Sequence, residues 1–110
     1  MTYACHVDDI PAGEGRTVTV DGHRVALFRT AAGWFAIDHA CPHAGGPLAD
    51  GIAADCSVIC PLHERRFALD TGAPIGHDGP AVSAHRVDIR DDRVYVAIGV
   101  PARTEIPAAA

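Results

Sequence analysis

The chain has 110 residues, 48% hydrophobic and only 5% aromatic, which is enough for one modest hydrophobic core. Fourteen acidic residues outnumber nine basic ones, so the formal net charge is −5. An acidic domain is a poor candidate for binding nucleic acid, because phosphate neutralisation requires a basic surface. The sequence has no apolar run near the roughly 20 residues of a membrane span and no signal-peptide pattern. We therefore expect a cytoplasmic protein with reduced thiols and no membrane partner.

Short β-like runs with turn residues between them predict strands along most of the chain. Two of the turns, at Asp21-Gly22 and Asp91-Asp92, have the composition of tight hairpins. A Gly- and Pro-rich stretch from His39 to about Asp55 interrupts the pattern. The predicted strands cover 16–20, 24–29, 34–38, 57–59, 67–70, 87–90 and 93–98. Since helical periodicity is almost absent, the pattern predicts an all-β fold, an antiparallel sandwich or open barrel.

The organisation along the chain is that of a single domain over residues 1–100. Within it, residues 39–80 are predicted to form an insertion that carries loops rather than core, and such loops are where function usually lies. Residues 101–110 contain two Pro and end in three Ala, so we expect a flexible tail.

The insertion contains two matched pairs of potential metal ligands. Cys41-Pro42-His43 is followed, after sixteen residues, by Cys60-Pro61-Leu62-His63. Each pair offers one thiolate and one imidazole, and two such loops supply four ligands. The spacing alone leaves two candidates, a structural Cys2His2 zinc site and an iron–sulfur centre with two histidine ligands. The other histidines are expected on the surface or in loops; they are His6, His23, His39, His77 and His85.

The residues around these pairs resemble the Rieske [2Fe–2S] family. The resemblance covers both ligand boxes, the segment 44–51 between them and the strand and turn at 67–72, and it extends over most of residues 3–98. It implies a Rieske fold in which one iron binds Cys41 and Cys60 and the other binds His43 and His63. The sequence departs from the family at Glu64, where Gly is commoner, which leaves the conformation of this turn open.

The resemblance also bears on the reduction potential. Two thiolates bring an oxidised [2Fe–2S] core to zero charge, whereas four would bring it to −2, so histidine ligation raises the potential into a range of roughly −150 to +300 mV. Respiratory members have a disulfide at the positions of Gly46 and Leu62, and hydroxyl donors where this chain has Arg65 and Phe67. The absence of those donors predicts a potential near the low end of the range.

The resemblance implies a one-electron carrier that is not catalytic by itself. The amino-acid sequence of residues 25–30 and 45–51 is most similar to that of the small subunit of assimilatory NAD(P)H nitrite reductase. The partner of that subunit is a large subunit with flavin and sirohaem. The alternative is the ferredoxin of an aromatic-ring dioxygenase, which works with a flavin reductase and an oxygenase. A structural zinc-binding module remains a third possibility. Arg65 and Arg66 belong to a solvated loop, or, beside the second ligand loop, they dock an acidic partner or screen the charge of the reduced cluster.

Overall fold

The computed structural model describes residues 1–41, 45–62 and 64–100; the predicted tail over 101–110 lies outside the described residues. Ten strands and two single-turn 3₁₀ helices, Val7–Asp9 and Leu48–Asp50, make up the described fold. The strands are β1 Thr2–His6, β2 Glu14–Val20, β3 His23–Thr30, β4 Gly33–Asp38, β5 Ile52–Ala54, β6 Ser57–Ile59, β7 Arg66–Ala68, β8 Pro74–Ile75, β9 Ala84–Arg90 and β10 Arg93–Ala97.

The strands form two antiparallel sheets. The larger has the order β1-β10-β9-β4-β3-β2, and β1 returns beside β2, so this sheet nearly closes into a barrel. The smaller has the order β5-β6-β7-β8 and lies between β4 and β9 in the chain. The predicted all-β architecture is confirmed.

Both predicted hairpins are present, and the conformation of their turns suits the twist of the strands they join. Asp21 and Gly22 have φ values of +51° and +80°, and Asp91 and Asp92 have +50° and +64°. A two-residue turn with both φ values positive matches the right-handed twist of paired strands, and Asp tolerates this conformation better than most residues.

The central strand β3 is buried on both faces, and its alternation divides the core in two. Val25 and Leu27 point into the barrel, whereas Ala26 and Phe28 point toward the small sheet. The barrel core contains Cys5, Ile10, Val20, Ala36, Val94 and Val96 as well. The second core contains Ile37, Cys41, Leu48, Val58, Cys60, Phe67, Leu69 and Val82. Both predicted metal-binding cysteines therefore lie between the barrel and the small sheet.

The middle of the chain differs from the prediction, because it forms a sheet with its own buried side chains rather than loops alone. Val58, Phe67 and Leu69 in this part are 1% exposed or less. Strands β1, β5 and β8 are additions to the predicted set. Over residues 1–41, 45–62 and 64–100, no helix reaches the length and apolarity that crossing a bilayer requires.

Candidate metal centre

The first cysteine loop follows β4 and is closed by its own backbone. The Cys41 N–H donates to the Gly46 carbonyl at 2.9 Å, and the Gly45 N–H donates back to the Cys41 carbonyl at 2.7 Å. Gly45 has φ +72°, a left-handed conformation that lets the chain reverse within five residues. Pairing of Ala40 with Pro47 holds the base of the loop.

The second cysteine loop, between β6 and β7, repeats this arrangement. The Cys60 N–H donates to the Arg65 carbonyl at 2.7 Å, and the Glu64 N–H donates to the Cys60 carbonyl at 3.0 Å. Glu64 has φ +55° and occupies the position that Gly45 has in the first loop. The departure from the family's glycine is thus accommodated by a left-handed glutamate, and the turn is preserved.

The two loops bring their cysteines to one place. Cys41 and Cys60 are 2% and 1% exposed and belong to the same core cluster. Gly46 of the first loop lies directly beside the second, since a Cβ added there would be 3.2 Å from Cys60 Sγ and 2.9 Å from Leu62 Cδ1. The two positions that carry a disulfide in respiratory relatives, Gly46 and Leu62, are therefore neighbours here.

The histidines of the predicted ligand set, His43 and His63, lie outside the described residues. In sequence each falls between the two residues that close its loop, Cys41 and Gly46 or Cys60 and Arg65. Leu62 is 53% exposed and Glu64 is also exposed, so the tip of the second loop faces solvent on both sides of His63.

A third segment, after β8, packs against the second loop. The His77 ring meets the buried Phe67 ring edge-on, with centroids 5.4 Å apart. His77 Nδ1 is 3.2 Å from Arg65 Nη1, and His77 Nε2 is 3.0 Å from the Arg66 carbonyl oxygen. Sequence reasoning missed this cluster because His77 is twelve residues from Arg65 and no local pattern links them.

The residues around Cys41 and Cys60 fit a sulfur-bridged iron cluster. Two thiols are buried in the same core cluster, in loops of matching geometry that meet at Gly46, which suits a shared iron. Arg65, whose carbonyl oxygen closes the second loop, has a buried Nε with no hydrogen-bond partner among the described residues, as does Arg86 in β9.

Comparison with known proteins decides the family. The profile of the Rieske-like [2Fe-2S] domain matches residues 1–97. The chain belongs to this family. The Rieske domain described here therefore has the [2Fe–2S] cofactor that its sequence predicts.

Two kinds of system occur among its relatives. The ferredoxin component of the naphthalene 1,2-dioxygenase/salicylate 5-hydroxylase systems of Ralstonia sp. is 38% identical over 97 residues, which are 84% of this chain and 89% of the relative. The structure of the putative NADH-dependent nitrite reductase small subunit of Mycobacterium tuberculosis is 30% identical with a TM-score of 0.80, covering 86% of this chain and 91% of that one. The ferredoxin of carbazole 1,9a-dioxygenase from Nocardioides aromaticivorans IC177 is 28% identical with a TM-score of 0.79, covering 90% and 95%.

A further relative is much longer. Human apoptosis-inducing factor 3 is 32% identical over 110 residues, or 94% of this chain, but the chain spans only 18% of its length. That similarity is to one part of the relative alone.

Proposed function

We propose that Cys41, His43, Cys60 and His63 hold the cluster and that the protein is a one-electron carrier. The observation that carries this proposal is the pair of matching loops that bury Cys41 and Cys60 side by side. When bound, a Rieske cluster takes up and releases one electron. Both cysteines would bind one iron and both histidines would bind the other, as in the family.

The chain's own residues prepare this site in two ways. Burial of Cys41 and Cys60 keeps water from the sulfur ligands, and the loop-closing hydrogen bonds fix where the two thiols stand before metal is bound. The exposed Leu62 and Glu64 place the tip of the second loop at the surface. We propose that this surface, with His43 and His63, is where electrons enter and leave.

The ligand set is tested with single cysteine variants. Purified protein should be red-brown and contain two irons and two acid-labile sulfides, with the electron paramagnetic resonance spectrum of a Rieske centre after reduction. Cys41→Ser and Cys60→Ser should abolish this signal. Cys56→Ser is the matched control, since Cys56 is an exposed free cysteine on the β5–β6 turn, and it should retain the cluster. One zinc per chain without sulfide would contradict the proposal and support the structural module.

The histidine ligands are tested through the potential. His43→Cys replaces a neutral ligand by a thiolate and makes the centre more negative, so the reduction potential should fall if this residue binds the iron that is reduced. An unchanged potential in a variant that keeps its cluster would remove His43 from the set.

The physiological system that we favour is an aromatic-ring oxygenase, with this protein as its ferredoxin. The relative from Ralstonia, at 38% identity over nearly its whole length, supports this role, and so does the carbazole dioxygenase ferredoxin. The electron would pass from a flavin reductase to the oxygenase. The sequence of residues 25–30 and 45–51 favours nitrite reductase instead; the preference here rests on the 38% identical Ralstonia ferredoxin, whereas among the solved structures the nitrite reductase subunit, at 30%, and the carbazole dioxygenase ferredoxin, at 28%, are about equally similar to this chain.

The second candidate is the small subunit of an assimilatory NAD(P)H nitrite reductase. It is supported by the 30% identical structure from Mycobacterium tuberculosis, with its TM-score of 0.80. The two roles differ in what re-oxidises the reduced protein. Stopped-flow mixing with a purified Rieske oxygenase and with a sirohaem nitrite reductase should show rapid oxidation by the first and slow oxidation by the second, and the opposite order would favour nitrite reduction.

The domain limits and location remain part of this proposal. We propose one domain over residues 1–100 with a cluster-binding insertion at about 39–80, supported by the small sheet that follows the first cysteine loop. We also propose a cytoplasmic location, which suits a chain in which Cys5, Cys41, Cys56 and Cys60 form no disulfide with one another.

A further inference from the structure

Two adjacent arginines at the second cysteine loop have different surroundings. Arg66 is exposed and lies in β7, opposite Ile59 and Ile75 of the neighbouring strands. Arg65 is half-buried, and its Nε atom is fully buried without a partner among the described residues. Arg86 Nε is buried in the same way, and partial burial of a charged side chain costs both solvation and side-chain entropy.

Arg65 is held by His77. The His77 ring has three polar neighbours: Nε2 is 3.0 Å from the Arg66 carbonyl oxygen, and Nδ1 is 3.2 Å from Arg65 Nη1 and 3.4 Å from the Asp78 carbonyl oxygen. Because a guanidinium can only donate, the shorter Nδ1 contact has Nδ1 as the acceptor, which leaves the ring hydrogen on Nε2, facing the Arg66 carbonyl. Edge-on packing against Phe67, which is 1% exposed, fixes the plane of the ring.

The backbone of Arg65 lies at the second cysteine loop, at one end of the small sheet. The Arg65 carbonyl accepts from the Cys60 N–H at 2.7 Å, so the arginine backbone adjoins the second cysteine. His77 follows β8, whose Ile75 pairs with Arg66. A cleft of about 440 Å³, lined by both arginines, Glu64 and His77, opens this end to solvent.

We propose that His77 is a positioning residue that holds the Arg65 guanidinium beside the cluster and so raises the reduction potential of the cluster. The inference rests on the proposed ligand set, in which Cys60 binds iron. Reduction adds one negative charge to the centre, and a fixed positive charge nearby favours that state. Guanidinium is charged at every working pH, and a half-buried charge is screened by salt less than an exposed one. Arg66 is exposed, so water and salt screen its charge and it contributes less.

The first experiment compares the two arginines. Arg65→Gln and Arg66→Gln remove the same charge from neighbouring positions, and the potential of each loaded protein is measured by spectroelectrochemistry. For Arg65→Gln, the ratio of reduced to oxidised protein at a fixed solution potential should fall at least threefold, where tenfold corresponds to about 59 mV for one electron. Arg66→Gln should change the logarithm of this ratio by less than half as much as Arg65→Gln does. The Arg65 effect should persist in 1 M salt. Equal effects, or no effect of Arg65→Gln, would overturn the proposal.

The second experiment tests the role of His77. His77→Phe keeps an aromatic ring against Phe67 but removes both nitrogens. It should therefore lower the ratio of reduced to oxidised protein in the wild-type background and should not change that ratio in the Arg65→Gln background. His77→Gln offers an acceptor for Arg65 and a donor for the Arg66 carbonyl, and should restore most of the potential. Equal falls in the two backgrounds would show that His77 acts independently of Arg65 and would overturn the positioning role.

The outcomes separate this inference from the proposed function. Variants with an intact Rieske spectrum but an unmoved potential overturn the inference alone. A wild-type protein without that spectrum overturns both. If Arg65→Gln fails to retain a cluster, His77→Phe and His77→Gln decide the question, because both leave Arg65 and the loop backbone in place.

Discussion

Cys5 is a thiol that the proposed centre does not use, and its surroundings favour the protonated form. It is 8% exposed within the barrel core. Burial, and to a smaller extent the negative charge of Asp9, raise the pKa of the Cys5 thiol above its ordinary value of 9.0. A buried thiolate is costly, because the core cannot solvate its charge.

This shift predicts a loss of stability in alkali. The folded pKa is the higher one, so the stabilisation is complete below the unfolded pKa and is lost as the pH rises from there through the folded value. The urea midpoint of the loaded protein should therefore fall above about pH 9. Cys5→Ala should be less stable at pH 7, through lost packing, but its midpoint should fall less steeply between pH 8 and 10. Parallel curves would show that Cys5 does not titrate differently on folding.

Single residues also show where sequence reasoning ended. The histidines outside the ligand set are predicted on the surface or in loops, and this is wrong for His85, which is 5% exposed and lies in β9. His85 Nε2 is 2.9 Å from Asp38 Oδ1, and Nδ1 accepts from the Gly99 N–H at 3.0 Å. Its carboxylate partner is 47 residues away in sequence, so only the pairing of β4 with β9 reveals it. The pattern identified Cys41 and Cys60 because each lies in a local motif.

At the scale of elements, the left-handed glutamate of the second cysteine loop predicts a stabilising substitution. The left-handed conformation costs an L-residue about 1–2 kcal/mol, whereas glycine loses only about 0.5–1 kcal/mol of backbone entropy. Glu64→Gly should therefore raise the free energy of unfolding by about 0.5–1 kcal/mol, measured by urea denaturation. Gly45→Ala at the matching position, where a Cβ meets nothing within 4 Å, is the control and should lower it by a similar amount. A stabilised Gly45→Ala would refute the account.

A second glycine is required for a different reason. Gly72 has φ +80°, and a Cβ there would collide with the carbonyl oxygen of Val82, whose N–H donates to the Gly72 carbonyl at 2.9 Å. Gly72→Ala should destabilise the protein by more than about 2 kcal/mol, since conformational strain and overpacking add. Gly76 has φ +77°, and a Cβ there would meet nothing within 4 Å. Gly76→Ala should therefore lower the free energy of unfolding by only about 1 kcal/mol. Thermal unfolding of the two variants measures the difference, and equal losses would show that the Val82 contact relaxes.

The elements that the sequence predicted are those with local signals. Hairpins β2–β3 and β9–β10 combine alternating residues with a two-residue turn, so each can be recognised within fifteen residues or so. Strands β5 and β8 have three and two residues, too few for a periodic pattern. Strand β1 depends on pairing with β10 at the far end of the chain, and a register shift between Tyr3 and Cys5 breaks its alternation.

At the scale of the whole molecule, the two cysteines leave from different sheets. Cys41 follows β4 of the barrel and Cys60 follows β6 of the small sheet, so a cluster bound by both joins the two layers. Removing iron should therefore loosen the small sheet first, because its short strands have few hydrogen bonds of their own. In hydrogen exchange, amides of β5–β8 should lose protection in the iron-free protein while those of β2–β4 keep theirs. Uniform loss across both sheets would contradict this division.

The close packing of Leu62 over Gly46 also determines which cellular conditions the protein tolerates. Where relatives join these loops by a sulfur–sulfur bond, this chain joins them by a contact that no thiol reductant can cleave. Glutathione or thioredoxin therefore has no bond to open at this junction. Reducing surroundings therefore leave the junction between the two loops as it is.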